Sequence, residues 1–341
     1  MFTRGRRGPE LRPFSAAAEV VCRGYSPALQ RAMTDLGADE PFAAAAAKLR
    51  EHYGIAVPVG AVRAITEQHG AAIVASQPPR SPWPEAPGVP RLIAELDGSM
   101  VPQVETAALA GGEGPPDRRK TRQLSWTEAR LCLVREPGSV TPRFGATMGT
   151  VEAAGDELWA CAVTSGVGHQ TRIHGVGDGA PWIADQIDRT FGTQATYLVD
   201  FSHLCDYLAA AAAGVAAPDP ATWLTEKKAW LKANRWSEVL DTLRPSVEPD
   251  DVADEAAPVR ACVRYLSNRT GSLDYQGALA ADLPIGSGEI ESAHRYIIQS
   301  RLKRAGTWWT ADNLANMLAL RVLRANHEWD PYWTQVNQPA A

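Results

Sequence analysis

The chain has 341 residues, of which 45% are hydrophobic, and a net charge of −5. That length suits a main core with one or two accessory modules, and the composition is that of an ordinary globular protein rather than a disordered or fibrous one. The negative balance argues against a simple nucleic-acid coat, although phosphate contacts depend on local patches and not on the sum.

The basic start, Met1-Phe2-Thr3-Arg4-Gly5-Arg6-Arg7-Gly8, has no apolar stretch behind it. No signal peptide is expected, and the location is expected to be cytoplasmic, associated with the nucleoid. The segment 12–77 reads as helical. Pro27 to Met33 is a short helix. Glu40 to Tyr53 is a longer one, with Phe42, Ala45, Leu49 and Tyr53 at helical spacing, and Gly54 stops it. Val57-Pro58-Val59-Gly60 leads into a further helix through Gln68. Helix, glycine turn and short helix, with Arg63, Gln68 and His69 expected on the exposed side, outline a helix-turn-helix; any three-helix subdomain has the same outline. The prolines of 77–87 predict a stiff linker, so a boundary is set at 88 and the first domain is 1–88.

From Arg91 the period changes. Arg91 to Val101 is a strand that runs into Asp97. Gly111 to Thr121 is a polar, basic loop, Trp126 to Val134 a second strand, and Arg143 to Met148 a third. A helix follows over Gly155–Thr164, then a weak strand over Thr171–Val176 ending at Gly177-Asp178-Gly179. Pro181 opens another helix, and Ala195 to Val199 is a strand ending at Asp200. Three strands, helix, strand, helix, strand predicts an α/β fold, an RNase H-like mixed sheet flanked by helices, over 89–210. The alanine run around Ala209–Ala217 is far too short to span a membrane. Segment 211–284 reads as an all-helical insertion, with helices at Asp219-Pro220, Ser237 and Asp254–Tyr265. Segment 285–341 returns to the core through Pro284-Ile285-Gly286-Ser287-Gly288 and a long helix, then a terminal helix over Ala311–Ala325. The five cysteines, Cys22, Cys132, Cys161, Cys205 and Cys262, have no paired spacing and read as small buried apolar residues.

Two acids stand at strand ends beside glycines. Asp97 precedes Gly98, and Asp178 lies between Gly177 and Gly179. A carboxylate at the end of a buried strand is costly unless it is paired or binds a cation. Either one alone is also a common turn, but two at matching strand ends are more specific, because ligands in such sheets bind beyond the strand ends. A third acid comes from the helix after Gly288. Ile290, Ala293, Ile297, Ile298 and Leu302 form its apolar arc, and at about 100° per residue Glu291 falls on the edge of that arc. Glu289 falls on the other side, in the first turn, where a helix-dipole role explains it. Three such carboxylates suit hard cations, two Mg²⁺ or Mn²⁺ ions.

Asp97-Gly98, Gly177-Asp178-Gly179-Ala180-Pro181-Trp182, Asp200-Phe201-Ser202-His203 and Pro284-Ile285-Gly286-Ser287-Gly288-Glu289-Ile290-Glu291-Ser292 together resemble the motifs of bacterial insertion-sequence DDE transposases of the IS-Kra type, related more broadly to mutator-like transposases. Arg301-Leu302-Lys303-Arg304-Ala305-Gly306-Thr307-Trp308-Trp309, Trp329-Asp330-Pro331-Tyr332-Trp333 and the early Cys22-Arg23-Gly24-Tyr25 are similar to the same group. The resemblance implies an RNase H-like core with a helical insertion before the final acid. It implies Asp97, Asp178 and Glu291 as catalytic and metal-binding residues. It implies Asp200 and His203 near the active site, where a plain helix N-cap is the alternative. It also implies double-stranded DNA, both element ends and target, as partner, with a homodimer or higher oligomer assembled on it.

DNA contacts are expected from the helix-turn-helix outline through Arg63. The basic patches Arg4, Arg6, Arg7, then Arg118, Arg119, Lys120, Arg122, and Arg295, Arg301, Lys303, Arg304 are further candidates. Trp308 and Trp309 suit either stacking on an unpaired base or core packing. Other readings stay open at this stage: an RNase H-like nuclease that cuts without joining, an inactive DNA-binding protein that uses only the N-terminal module, or a structural helical scaffold.

Overall fold

In a computed structural model of the chain the described residues are 24–106, 122–215 and 219–337, with the backbone of two paired two-residue strands, Phe2–Thr3 and Glu10–Leu11. The candidate patches Arg4, Arg6, Arg7 and Arg118, Arg119, Lys120, the 111–121 loop and Cys22 lie outside the described residues.

One mixed sheet organises the molecule. Its strands are β1 (Arg91–Thr106), β2 (Arg122–Arg135), β3 (Arg143–Thr147), β4 (Arg172–Gly177) and β5 (Ala195–Val199), in spatial order β3-β2-β1-β4-β5. β2 runs antiparallel to both of its neighbours, β1 and β3, while β4 and β5 run parallel to β1. Parallel neighbours need crossover helices. These are α4 (Val151–Thr164), capped by Thr150, and α5 (Pro181–Phe191), opened by its proline. Leu92, Ala94 and Leu96 of β1 pack on α4 and α5 in one core. Successive side chains alternate between faces, so Glu95, Asp97, Ser99 and Val101 share the other face. There Val101 joins a second core with Ile290, Ile297, Ile298 and Leu302.

The N-terminal helices are α1 (Pro27–Asp39), α2 (Phe42–Tyr53) and α3 (Val59–Ala75). Gly54, in the left-handed conformation, ends α2 as expected. Met33, Leu49, Val62 and Ile65 form their shared core. Two expectations are corrected here. The helix beginning at Val59 runs seven residues past Gln68, because its far end is packed on the helix Ala311–Ala325: the two touch closely at Gly70 and Asn316. His69 is not exposed. It is buried, with its ring nitrogens 2.7 Å from Tyr332 Oη and 3.0 Å from Gln30 Oε1, and burial lowers its pKa to about 4.

The proline-rich stretch is not a free spacer either. Trp159 Nε1–H donates to Ser81 O at 2.7 Å, Trp83 packs on the Trp159 ring, and Ala86 O accepts the His169 backbone N–H. Residues 81–88 are thereby strapped to the sheet domain.

Beyond β5 come α6 (Phe201–Ala212), α7 (Pro220–Lys232), α8 (Trp236–Leu243), α9 (Pro258–Ser267) and α10 (Tyr275–Ala280). Leu204, Leu208 and Ala211 of α6 share one core with Leu231, Leu240, Val259 and Leu266, so the helical cluster begins at Phe201, about ten residues before the expected boundary at 211. The chain returns through α11 (Gly288–Ala293), which continues into a π turn (His294–Gln299) and a last helical turn (Ser300–Leu302), then α12 (Ala311–Ala325) and α13 (Trp329–Val336). The four described cysteines are buried and free. Among the described residues no helix is long and apolar enough to cross a membrane.

Candidate active site

The parallel register sets the first acids side by side. Glu95 pairs with Val176, and Gly177 pairs with Val199. Counting on from those pairs puts Asp97 level with Asp178, and Asp178 level with Asp200. Asp178 and Asp200 follow the carboxyl ends of β4 and β5, where ligands of such sheets bind. Asp97 is level with them but does not end its strand as expected: β1 continues nine residues further, to Thr106, because it stays paired with β2.

The helix bearing Glu291 is fastened across this edge by other acids. Ser287 supplies no side-chain cap to α11. Instead Glu95 reaches over from β1, and its Oε2 accepts the Ile290 N–H at 2.9 Å, satisfying one of the orphan donors of the first turn. Asp200 is 1% exposed. Its Oδ1 caps α6 by accepting the His203 N–H at 2.9 Å, and its Oδ2 accepts both the N–H and the hydroxyl of Ser287 at 2.6 Å. Asp200 is thus the helix N-cap that the sequence offered as one alternative, and the same carboxylate also ties down the segment leading into α11. Phe201 N–H to Ile285 O and His174 Nε2 to Pro284 O, each 2.8 Å, close the same clamp.

Asp178 and Glu291 are both near enough for their charges to act on Asp97. Burial raises the Asp97 carboxyl to about 7, and the charges of Asp178, Glu291 and Glu128 add to the shift. Each aspartate takes a local donor: Asp97 Oδ1 accepts the Gly98 N–H at 2.7 Å, and Asp178 Oδ1 accepts the Ala180 N–H at 2.8 Å. Glu291 is exposed. Among the described residues no three His, Cys, Asp or Glu side chains are gathered into a ready metal-binding set. The donors are nevertheless hard oxygens, and a divalent cation between them would offset the mutual repulsion that Asp97 carries, so the residues fit Mg²⁺ or Mn²⁺. Glu289 faces the other way, with its Oε2 2.5 Å from Arg135 Nε. It is an ion-pair partner as well as a first-turn charge.

Several contributors to the site have no counterpart among the sequence candidates. His294, buried in the π turn, has Nε2 3.2 Å from Asp97 Oδ2, without the alignment of a hydrogen bond. Burial lowers it to about 4, so it is neutral beside that carboxyl. A π turn is a recurrent device for aiming a functional residue. From the helical cluster, Tyr265 Oη donates to Asp178 O at 2.5 Å and Arg269 Nε to Gly179 O at 2.9 Å. Gly179 has φ +85° and Arg269 lies against it, so a side chain there would be strained as well as blocked. His203 rests beside Tyr207 and Tyr265, at the edge of the same loop. Glu95, two residues before Asp97 on one strand face, was the one legible signal among these.

Of the candidate DNA-binding residues, Arg63, Arg301 and Trp308 line one cavity, which Asp97 and Asp178 do not line. Lys303 is exposed, with Nζ 3.5 Å from Ser99 Oγ on the face of β1 that carries Asp97. Arg295 is exposed. Arg304 is held by Asp39 O and Glu40 Oε2, both at 3.2 Å. Trp308 is 50% exposed under the Arg122 guanidinium, whereas Trp309 is core. Arg63 stands on the outer side of α3 with Glu67 4.0 Å away.

Arg301 is a correction. It is 1% exposed, donates twice to Gly37 O, and lies over the rings of Phe42 and Trp309, because its helical position follows the apolar arc rather than the basic patch. Arg301→Ala should cost about 3 kcal/mol in stability. Urea unfolding checks this, and an unchanged midpoint would contradict the packing role.

Glu95 gives a pH dependence. Burial raises its carboxyl to about 8, and the Glu289 charge contributes. A carboxyl that holds its proton more tightly when folded supports the fold below its unfolded pKa and loses that support as the pH climbs through its folded value. With Asp97 shifted the same way, the stability of metal-free protein should fall between about pH 4 and pH 8. Glu95→Gln keeps an acceptor for Ile290 and removes the charge, so it should flatten the upper half of that decline in thermal melts. A wild-type melting temperature that is level over this range contradicts the assignment.

No protein-family model matches the chain, and no curated protein matches it.

Proposed function

We propose that the chain is a DDE transposase of the IS-Kra type that cleaves DNA at insertion-sequence ends and joins the freed 3′ end to target DNA. The strand order β3-β2-β1-β4-β5, three antiparallel and two parallel, supports an RNase H-like core. The observation that carries the reading is the convergence of charge at one sheet edge. Asp97, within β1, is level with Asp178, just past the end of β4, and Glu291 arrives on a helix fastened there by Glu95 and Asp200. The three acids would hold two Mg²⁺ or Mn²⁺ ions, which when bound supply activation of the attacking oxygen and stabilisation of the leaving one.

The chain's own residues orient and confine this chemistry. Glu95 and Asp200 fix the helix of Glu291, neutral His294 backs Asp97, and Tyr265 with Arg269 holds the loop of Asp178. Double-stranded DNA would run past Lys303 and Arg295, with a dimer or higher oligomer pairing the two ends.

The test is incubation with a labelled duplex of the DNA flanking the gene and a supercoiled target plasmid, in Mg²⁺ or Mn²⁺. Metal-dependent nicks that leave 3′-hydroxyls, followed by label joined to the plasmid, are expected. Cleavage without joining would reduce the function to that of a nuclease, and no cleavage of any DNA would remove it.

A further inference from the structure

The amino ends of the parallel strands lie at the edge of the sheet opposite the acids. Arg91 opens β1 and Arg172 opens β4, and the register makes the two direct partners. Paired residues of neighbouring strands share a face, so two guanidinium-bearing side chains leave the sheet side by side, where like charges repel. Neither has a carboxylate to offset that. Among the described residues the Arg91 side chain has no hydrogen bond or ion pair, and Arg172 only donates to Thr193 O at 3.4 Å. By contrast Arg80, Arg135, Arg143 and Arg189 each meet an acid. Arg91 and Arg172 border one cavity of about 280 Å³, to which Thr193 and Thr196 add hydroxyls, and its lining contains no Asp or Glu. Asp185, Asp188 and Asp274 border the adjoining groove, which Arg91 also touches, but none of them forms an ion pair with it. Both arginines reach solvent, so the cavity is open to an incoming ion.

We propose that Arg91 and Arg172 bind a dianionic phosphate group in this cavity. A single carboxylate matches one guanidinium fork and one charge. A terminal phosphate carries about −1.5 to −2 at pH 7 and offers oxygens to both forks, so it offsets both cations. The proposal is independent of the cleavage reading. Arg91 is six residues before Asp97 on β1, roughly 20 Å at about 3.3 Å per residue, so this phosphate is not one at the cleavage site. His174, 5% exposed, lines the same cavity, and its Nε2 lies 2.8 Å from Pro284 O. Its ring is therefore a built-in reporter of an anion beside Arg91.

The experiment is calorimetric titration of the full chain with inorganic phosphate near neutral pH, at ionic strength held constant with chloride. Wild type should take up one phosphate per chain, saturably, with the His174 ring signals moving in step by NMR. Arg91→Gln and Arg172→Gln should each weaken uptake at least about ten-fold, and the double variant should leave the His174 signals unmoved. Arg50→Gln, which removes an exposed charge of α2 that has no ion pair among the described residues, should bind within about two-fold of wild type. A short oligonucleotide with a 5′-phosphate, compared with its 5′-hydroxyl form, separates the sources. A preference for the phosphorylated form that both substitutions remove assigns the site to a nucleic-acid end; equal binding of the two forms, with phosphate uptake intact, assigns it to free phosphate. Phosphate uptake that is unsaturable, that survives the double substitution or that acetate matches overturns the site.

Discussion

Glu291→Gln should lower metal-dependent strand cleavage by roughly 10³-fold, about 4 kcal/mol of transition-state stabilisation, while stability and DNA binding stay within a factor of two. The glutamate is exposed, and its described hydrogen bond is the helical N–H to Ser287 O at 3.3 Å, which belongs to the backbone and is kept by the substitution. It keeps the shape of the side chain and removes the charge that raises Asp97 and that would hold a cation. Asp97→Asn should be equally inactive. Glu289→Gln is the internal control: it weakens the ion pair with Arg135, should cost no more than about 1 kcal/mol, and should retain most of the activity. Cleavage of a labelled end duplex in Mg²⁺ or Mn²⁺, with binding read separately in Ca²⁺, separates the three. An active Glu291→Gln beside an inactive Glu289→Gln would transfer the catalytic role to the other glutamate; three active variants would refute the DDE assignment.

The second large effect belongs to Asp200. Its alanine variant orphans three donors at once, the His203 N–H and the N–H and hydroxyl of Ser287, in a place without solvent. Buried orphans cost about 1–3 kcal/mol each, less where the chain relaxes, so Asp200→Ala should lose about 4 kcal/mol. Activity should fall further than stability, measured at a temperature where the variant remains folded, because the clamped segment leads directly into the helix of Glu291. Asp200→Asn retains one acceptor and should lie between alanine and wild type on both scales. A urea midpoint for Asp200→Ala equal to wild type would show that the clamp carries no weight.

Much of the sheet was legible because strands advertise themselves by alternation and by the glycines that end them. Asp178 and Asp200 were found just past strand ends on that basis, and the order of strands and helices followed; Asp97-Gly98 was misread as a strand end, since the paired strand carries on to Thr106. What stayed hidden depends on partners far away in the chain. Nothing near Glu95 says that its carboxylate caps a helix 195 residues later. Tyr265 and Arg269 look like ordinary helix residues until the fold brings them to the Asp178 loop. The π turn also escaped, since a wheel drawn at 100° per residue has no place for an extra residue per turn, and with it went His294. Arg301 was misread for a different reason. Four basic residues close in sequence suggested a common surface, yet Arg301 is four residues from Ile297 and three from Ile298, on the buried side. The same periodicity that located Glu291 would have excluded it.

Beyond the core they share with one another, the N-terminal helices pack against the other end of the chain. His69 waits for Tyr332, 263 residues later, and Gly37 for Arg301, 264 later. A ribosome adding about 5–20 residues per second takes from about thirteen seconds to nearly a minute to cover that gap. Throughout it, the side of α3 that belongs against α12 has nothing to rest on, which is the period when a nascent chain engages holding chaperones or proteases. A message broken before the codons for α12 therefore yields a product that cannot close up, however complete its strands. Translation itself acts as a proofreading step, releasing a sealed molecule only when almost all of this sequence has been read.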